Sequence, residues 1–167
     1  MKLLNEFMAQ KYVTTKGASI ACTRPSVVFG YGRKRSSLMW AEEFATNPAL
    51  GKTLNLPFPQ TNKDNYIYVE DCAAQLIELS LKEKLNHFVY NSGTETVSGK
   101  ELKEILISLI PSADINFDEK GNPTPFIDCQ NDERIRQELT FVPRTLKQGI
   151  KEHMNEARFD HGLELLN

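Results

Sequence analysis

Ala18-Ser19-Ile20-Ala21-Cys22-Thr23-Arg24-Pro25-Ser26-Val27-Val28-Phe29-Gly30, with Tyr31-Gly32 behind it, is the stretch from which the fold can be read. Residues 18–24 are mostly apolar or small and alternate little, as expected of a strand covered on both faces of a parallel sheet. Pro25 lacks a backbone donor and has a fixed φ, so the strand should end there. Gly30 and Gly32 either allow a ligand close to the backbone or make a turn.

Towards the N-terminus, Leu3, Leu4, Phe7, Met8 and Tyr12 recur at helical spacing and predict a helix over 2–16 that stops at Gly17. Towards the C-terminus, Ser36 and Ser37 can cap a helix holding Leu38, Met39, Trp40, Phe44 and Ala45, closed by Asn47-Pro48 and Gly51. Leu54 to Pro59 reads as an edge strand or extended loop, 60–65 as a polar turn, and 66–69 as a short strand. Glu70-Asp71, with Asp71 as a cap, opens a helix whose apolar face is Ala73, Leu76, Ile77, Ser80 and Leu81.

A strand at 87–91 precedes a capping box, Ser98 with Glu101, and a helix burying Leu102, Ile105, Leu106, Leu109 and Ile110. Another strand covers 113–117, and Gly121 to Pro125 is loop. Asp132 starts a short helix to Leu139, and Thr145 with Gln148 boxes a last helix that runs to about Arg158. Strands alternating with helices define an α/β layering. The expected organisation is one α/β domain over 1–158 and a flexible tail over 159–167.

The 167 residues carry 20 basic and 22 acidic side chains, a formal charge of −2 that offers no general attraction to nucleic acid or to an anionic membrane. Cys22, Cys72 and Cys129 are odd in number and widely spaced, which argues against a disulfide framework and for a reducing cytoplasm. No stretch approaches the roughly 18 apolar residues of a membrane span. His87, His153 and His161 have no metal-ligand spacing, so no metal is expected, and His153 reads as surface or partly packed. A Gly-rich strand-to-helix turn of the G-x-G-x-x-G kind is missing from the sequence.

Several ordered landmarks resemble the second half of the extended short-chain dehydrogenase/reductase family, the NAD-dependent epimerases and dehydratases. They are Lys2 with Glu6, Arg24-Pro25 running to Gly30-Tyr31-Gly32, Tyr66-Ile67-Tyr68-Val69-Glu70-Asp71, Val89 to Gly93, and Leu139-Thr140-Phe141-Val142-Pro143. The resemblance implies the C-terminal portion of a Rossmann-like fold with a small substrate-binding lobe. It also implies that Lys2 is the catalytic lysine of a Tyr-x-x-x-Lys pair whose tyrosine would stand just before residue 1. In such a pair the ammonium favours the phenolate and can hydrogen-bond the nicotinamide ribose.

By the same resemblance, Lys2, Pro25, Ser26 and Val28 would touch NAD or NADP in a full-length protein, with none bound by this chain alone. Substrate would meet Val27 and Asp64. Apart from the resemblance, the loop Arg33-Lys34-Arg35-Ser36-Ser37 puts three cations before a helix start, so Arg33, Arg35, Ser36 and Ser37 can take a carboxylate or phosphate of the substrate. Val27 stands where many nucleotide-sugar enzymes of the family carry asparagine, and Asp64 where they carry a phosphate-gripping arginine. A carboxylate there would repel phosphate, which points to a smaller hydroxylated or carbonyl substrate. The implied activity is that of an oxidoreductase or isomerase, inactive as an isolated piece. The alternative is a non-catalytic ligand-binding or scaffolding domain. The helix over 2–16 would join two copies as a homodimer.

Overall fold

The computed structural model describes residues 2–34 and 38–167. Its elements run α1 (Lys2–Lys16), β1 (Cys22–Pro25), β2 (Val27–Phe29), α2 (Trp40–Ala49), β3 (Leu54–Leu56), β4 (Lys63–Tyr68), α3 (Val69–Leu81), β5 (Val89–Ser92), β6 (Glu95–Ser98), α4 (Gly99–Leu109), β7 (Ile115–Phe117), α5 (Glu133–Glu138) and α6 (Leu146–Asp160). The α/β reading holds. β1 lies parallel to β5, β2 parallel to β4 with β6 antiparallel beyond it, and β3 parallel to β7.

The expected strand over 18–24 is shorter and shifted: pairing starts at Cys22, and Arg24 and Pro25 are exposed rather than covered on both faces. Ser26 bonds across to Ser92 O at 2.8 Å and hands the chain from β1 to β2. The proline-rich segment is a true strand at Leu54–Leu56, aligned with Ile115–Phe117. The turn expected at 60–65 is present at Gln60 and Thr61, where Asn62 N bonds to Pro59 O at 2.9 Å, but 63–65 already belong to β4. Asp64 sits in that strand fully buried because Asn62 and distant Thr124 donate to it; Asn65 is almost fully buried, with its Nδ2 donating to Thr96 Oγ1 at 3.0 Å and its Oδ1 without a partner among the described residues.

α2 continues through Pro48 to Ala49, one turn beyond its expected end. Gly51, at φ +68°, takes the left-handed position that closes it, with Lys52 N bonded to Asn47 O at 2.8 Å. The cap expected at Ser36 and Ser37 lies outside the described residues. Both capping boxes are present, Ser98 with Glu101 and Thr145 with Gln148. The tail folds back: Leu166 N donates to Asn155 Oδ1 at 2.8 Å, and Leu163 N to Arg158 O at 2.8 Å.

The main core lies between α2, α6 and the β2–β4–β6 sheet, around the rings of Phe29, Trp40, Phe44, Phe58, Tyr66 and Tyr68. Phe29 and Phe44 meet at 5.3 Å and Trp40 meets Phe58 edge-on at 5.0 Å, separations at which aromatic pairs add to area burial. His153, expected near the surface, is wholly buried in this core beside Phe29. A second, smaller cluster of Leu79, Tyr90, Ile135 and Leu139 joins α3, β5 and α5.

α3 corrects its expected face. Leu76, Ile77 and Leu81 are exposed, while Asp71, Cys72, Gln75 and Leu79 are buried. Polar groups can face inward here because each has a partner: Ser92 Oγ donates to Gln75 Oε1, and Arg144 binds Asp71. Asp71 therefore does not cap its helix, whose N-cap residue is Tyr68. Leu76 lines a hollow of about 410 Å³ with Ile20 and Ala21 beside β1.

Candidate functional site

Two hollows meet at the carboxyl end of β1, where the chain passes into β2. The outer, of about 780 Å³, lies between α1 and β1 and is lined by Lys2, Leu3, Glu6, Arg24, Pro25 and Ile127 among others. The inner, of about 420 Å³, is walled by Lys2, Pro25, Ser26, Val27, Val28 and Arg33, and is closed by Leu38, Pro125, Phe126, Ile127 and Gln130. Lys2, Pro25 and Ile127 belong to both, so Lys2 stands at the junction. The crevice outside the carboxyl ends of parallel strands is where open α/β sheets take ligands.

Local chemistry explains the wall. β1 and β2 come from one extended stretch broken only at Ser26, so Pro25 to Val28 present consecutive backbone to the inner hollow. Arg33 Nη1 donates to Val28 O at 2.6 Å, which turns Arg33 back onto β2. On the other side, Arg24 forks onto Glu6, Nε to Oε1 at 2.9 Å and Nη2 to Oε2 at 2.5 Å, clamping α1 over β1. That hydrogen-bonded guanidinium holds the Glu6 carboxyl below its usual range. Burial pushes the Cys22 thiol up.

Of the expected site residues, Lys2, Pro25, Ser26, Val27, Val28 and Arg33 converge on this one hollow. Arg35, Ser36 and Ser37 lie outside the described residues. Asp64 does not face the hollow. Its carboxylate is fully buried and accepts Thr124 Oγ1 at 2.6 Å and Asn62 Nδ2 at 2.8 Å. Burial pushes this carboxyl up, and the Thr124 and Asn62 bonds partly oppose that. Asp64 thus anchors the segment that bears Thr124 rather than meeting substrate.

Pro125, Phe126, Ile127 and Gln130 escaped the sequence reading. They sit in an irregular stretch that three ties carry over the hollow: Thr124 on Asp64, Thr96 Oγ1 on Asp128 O at 2.7 Å, and Asn91 Nδ2 on Asn131 O at 2.9 Å. The one local signal was an apolar pair, Phe126-Ile127, flanked by proline in an otherwise polar run; Ile127 is 67 % exposed. No group of three or more His, Cys, Asp or Glu side chains that could hold a metal ion is found among the described residues, and no helix among them is long and apolar enough to cross a membrane.

No family model matches the sequence, and no curated protein matches it. Solved structures do. L-threonine 3-dehydrogenase from Trypanosoma brucei superposes with a TM-score of 0.82 at 17% identity, over 99% of this chain and 54% of that one. UDP-glucose 4-epimerase from Thermotoga maritima, solved with UDP-glucose, gives 0.77 at 17% identity over 98% and 53%. UDP-glucuronic acid 4-epimerase from Bacillus cereus, in complex with UDP-glucuronic acid and NAD, gives 0.74 at 20% identity over 95% and 51%. The chain spans about half the length of each of these structures, and its fold is that of the C-terminal half of extended short-chain dehydrogenase/reductase enzymes.

Proposed function

We propose that this chain is the substrate-side part of an NAD- or NADP-dependent oxidoreductase or isomerase acting on a small hydroxylated or sugar-like compound. One observation carries the reading: six residues expected from the sequence to meet cofactor or substrate line a single hollow at the strand ends. The similar structures include a dehydrogenase named for L-threonine and epimerases of UDP-sugars. Apolar Val27 and the inward turn of Asp64 favour the compact substrate class over the nucleotide sugars.

The residues present fit the nicotinamide end of the cofactor and not its diphosphate. Backbone from Pro25 to Val28 lines the inner hollow and offers polar groups to a carboxamide. A phosphate cradle would need the Gly-rich turn that the sequence lacks. When bound, the nicotinamide would accept or return a hydride at the substrate carbon. Lys2, at the junction of the two hollows, is placed to lend positive charge to a neighbouring phenol and lower its proton affinity. Arg33 adds a second positive charge on the substrate side.

Titrating the ¹⁵N-labelled chain with nicotinamide mononucleotide should shift the amides of Ser26, Val27 and Val28, whereas adenosine monophosphate should leave them unmoved. Whole NAD should bind within about tenfold of the mononucleotide, because the rest of the molecule finds no dedicated site. Equal responses to the two mononucleotides would reject the reading. Tight NAD binding by the chain alone would instead favour a self-sufficient ligand-binding domain.

A homodimer through α1 belongs to the same proposal. The helix has no buried residue, and Leu3, Leu4, Phe7, Met8 and Tyr12 are each more than half exposed. A helix of 15 residues is marginal in water without packing. A second copy laying the same stripe against this one would cover both. Sedimentation should show self-association that Phe7→Glu abolishes, and a wild-type monomer at high concentration would refute it.

A further inference from the structure

β1 pairs with β5 along one side and with no other strand among the described residues. Two hollows run along its other side, and Thr23 lines both. Arg24 reaches Glu6 from one face of β1, so α1 lies on that face, with the hollow of about 780 Å³ between them. Alternation turns Ala21 and Thr23 to the opposite face, where Leu76, Leu79 and Ser80 of α3 wall the hollow of about 410 Å³.

A slot open at a strand edge and walled by a helix on each face is the shape of a parallel sheet that stops one strand short, because such sheets carry helices on both faces. The walls are apolar beyond the edge. Ile20, Leu76, Ile77 and Leu81 are exposed on the α3 side, and Leu3 and Ala9 line the α1 side. The similar structures supply the size of what is missing: this chain covers 54%, 53% and 51% of them, so each carries a further part nearly as large again.

A second copy fits the slot less well. A twofold axis would set β1 against β1 antiparallel, against the parallel order that β1 shares with β5. Leu4, Met8 and Tyr12 of α1 line neither hollow, so they stay available to a second copy while the slot is filled by something else.

We propose that this slot is the docking surface for a separate nucleotide-binding α/β polypeptide, one strand of which adds parallel to β1 between α1 and α3. The strand must accept from Thr23 N–H and can ask nothing of Pro25, which has no N–H. The partner brings the Gly-rich turn that this sequence lacks. Arg24 forked onto Glu6 sets the slot before the partner arrives, which reduces the ordering cost. The partner's nucleotide role rests on the functional reading above, whereas the docking rests on the fold alone.

The test co-expresses the chain with tagged N-terminal portions of the Trypanosoma brucei dehydrogenase and of the Thermotoga maritima and Bacillus cereus epimerases, the parts this chain leaves uncovered. Strand addition draws on main-chain bonds, so it tolerates differences in sequence, and at least one portion should co-purify at one to one. In that complex alkylation of Cys22, which lines the slot, should slow about tenfold or more, while exposed Cys129 keeps its rate. Leu76→Glu should abolish co-purification, and Phe7→Glu should leave it intact. Failure of all three portions to co-purify, or co-purification with Cys22 still reacting freely, overturns the proposal. So does protection of Cys22 in the chain alone that grows with its concentration, since a second copy then holds the slot. None of these results touches the response of Val27 and Val28 to nicotinamide mononucleotide, so docking and the functional reading fail separately.

Discussion

Lowering the pH from 6.5 to about 4 is expected to remove roughly 3 kcal/mol of folding stability through one ring, that of His153. Thr46 Oγ1 donates to Glu42 Oε1 at 2.6 Å, so its remaining contact, 2.8 Å to His153 Nε2, is one in which the ring donates. Nδ1 is then a bare lone pair, buried with no partner among the described residues, against Phe29, Tyr31 and Phe44. A proton there would bury a charge among hydrocarbon, and burial accordingly pushes the imidazole down to about 4.

The unfolded ring takes up its proton near 6.5, the folded ring only near 4, so in between the unfolded chain holds more protons. The contribution is complete above 6.5 and is lost as pH falls to 4. Urea unfolding across this window should show the slope in wild type and a flatter profile in His153→Gln, which keeps a donor for Thr46. Glu78 and Glu101, held low by backbone hydrogen bonds, lose their contributions near and below the ordinary carboxyl range in both proteins, so the comparison cancels them. Equal slopes in the two proteins would discard the assignment.

Arg144→Ala should cost about 3 kcal/mol, the low end for removing one partner of a buried pair, because the arginine side chain is 37% exposed. Asp71 has none of that relief. It is fully buried and takes the Arg144 backbone N–H at 2.8 Å as well as the guanidinium. The same guanidinium reaches Glu70 Oε2 at 3.0 Å and lies 5.2 Å over the Tyr68 ring, whose hydroxyl donates to Glu156 at 2.6 Å. Arg144 thereby ties the start of α3 to the start of α6 and the end of β4. Asp71→Asn should recover part of the loss in the double variant, since it removes the stranded charge. A loss below about 0.5 kcal/mol in Arg144→Ala would place it among ordinary surface changes and discard the claim.

Legibility in the sequence followed the range of the interactions. Both capping boxes were readable because donor and acceptor stand three residues apart. Half the site was readable for a like reason: Pro25 to Val28 and Arg33 come from one continuous stretch that passes from strand to strand. The face of α3 was not, since Asp71 and Gln75 turn inward only because Arg144 and Ser92 meet them. Gln130 was invisible for the same reason. Nothing near it in sequence reveals that Thr124 reaches back to Asp64 and draws the whole segment across the strand ends.

The outer margin of β1 has one last consequence. Cys22 N and Ser26 N bond towards β5, so the alternate residues Thr23 and Pro25 turn their main-chain groups the opposite way. Of that pair only Thr23 has an N–H to give, and charged Arg24 sits between them. A bare strand flank is an invitation to runaway stacking into fibrils. Imino acid and cation side by side act as gatekeepers, so this margin is a poor template for amyloid growth even when uncovered.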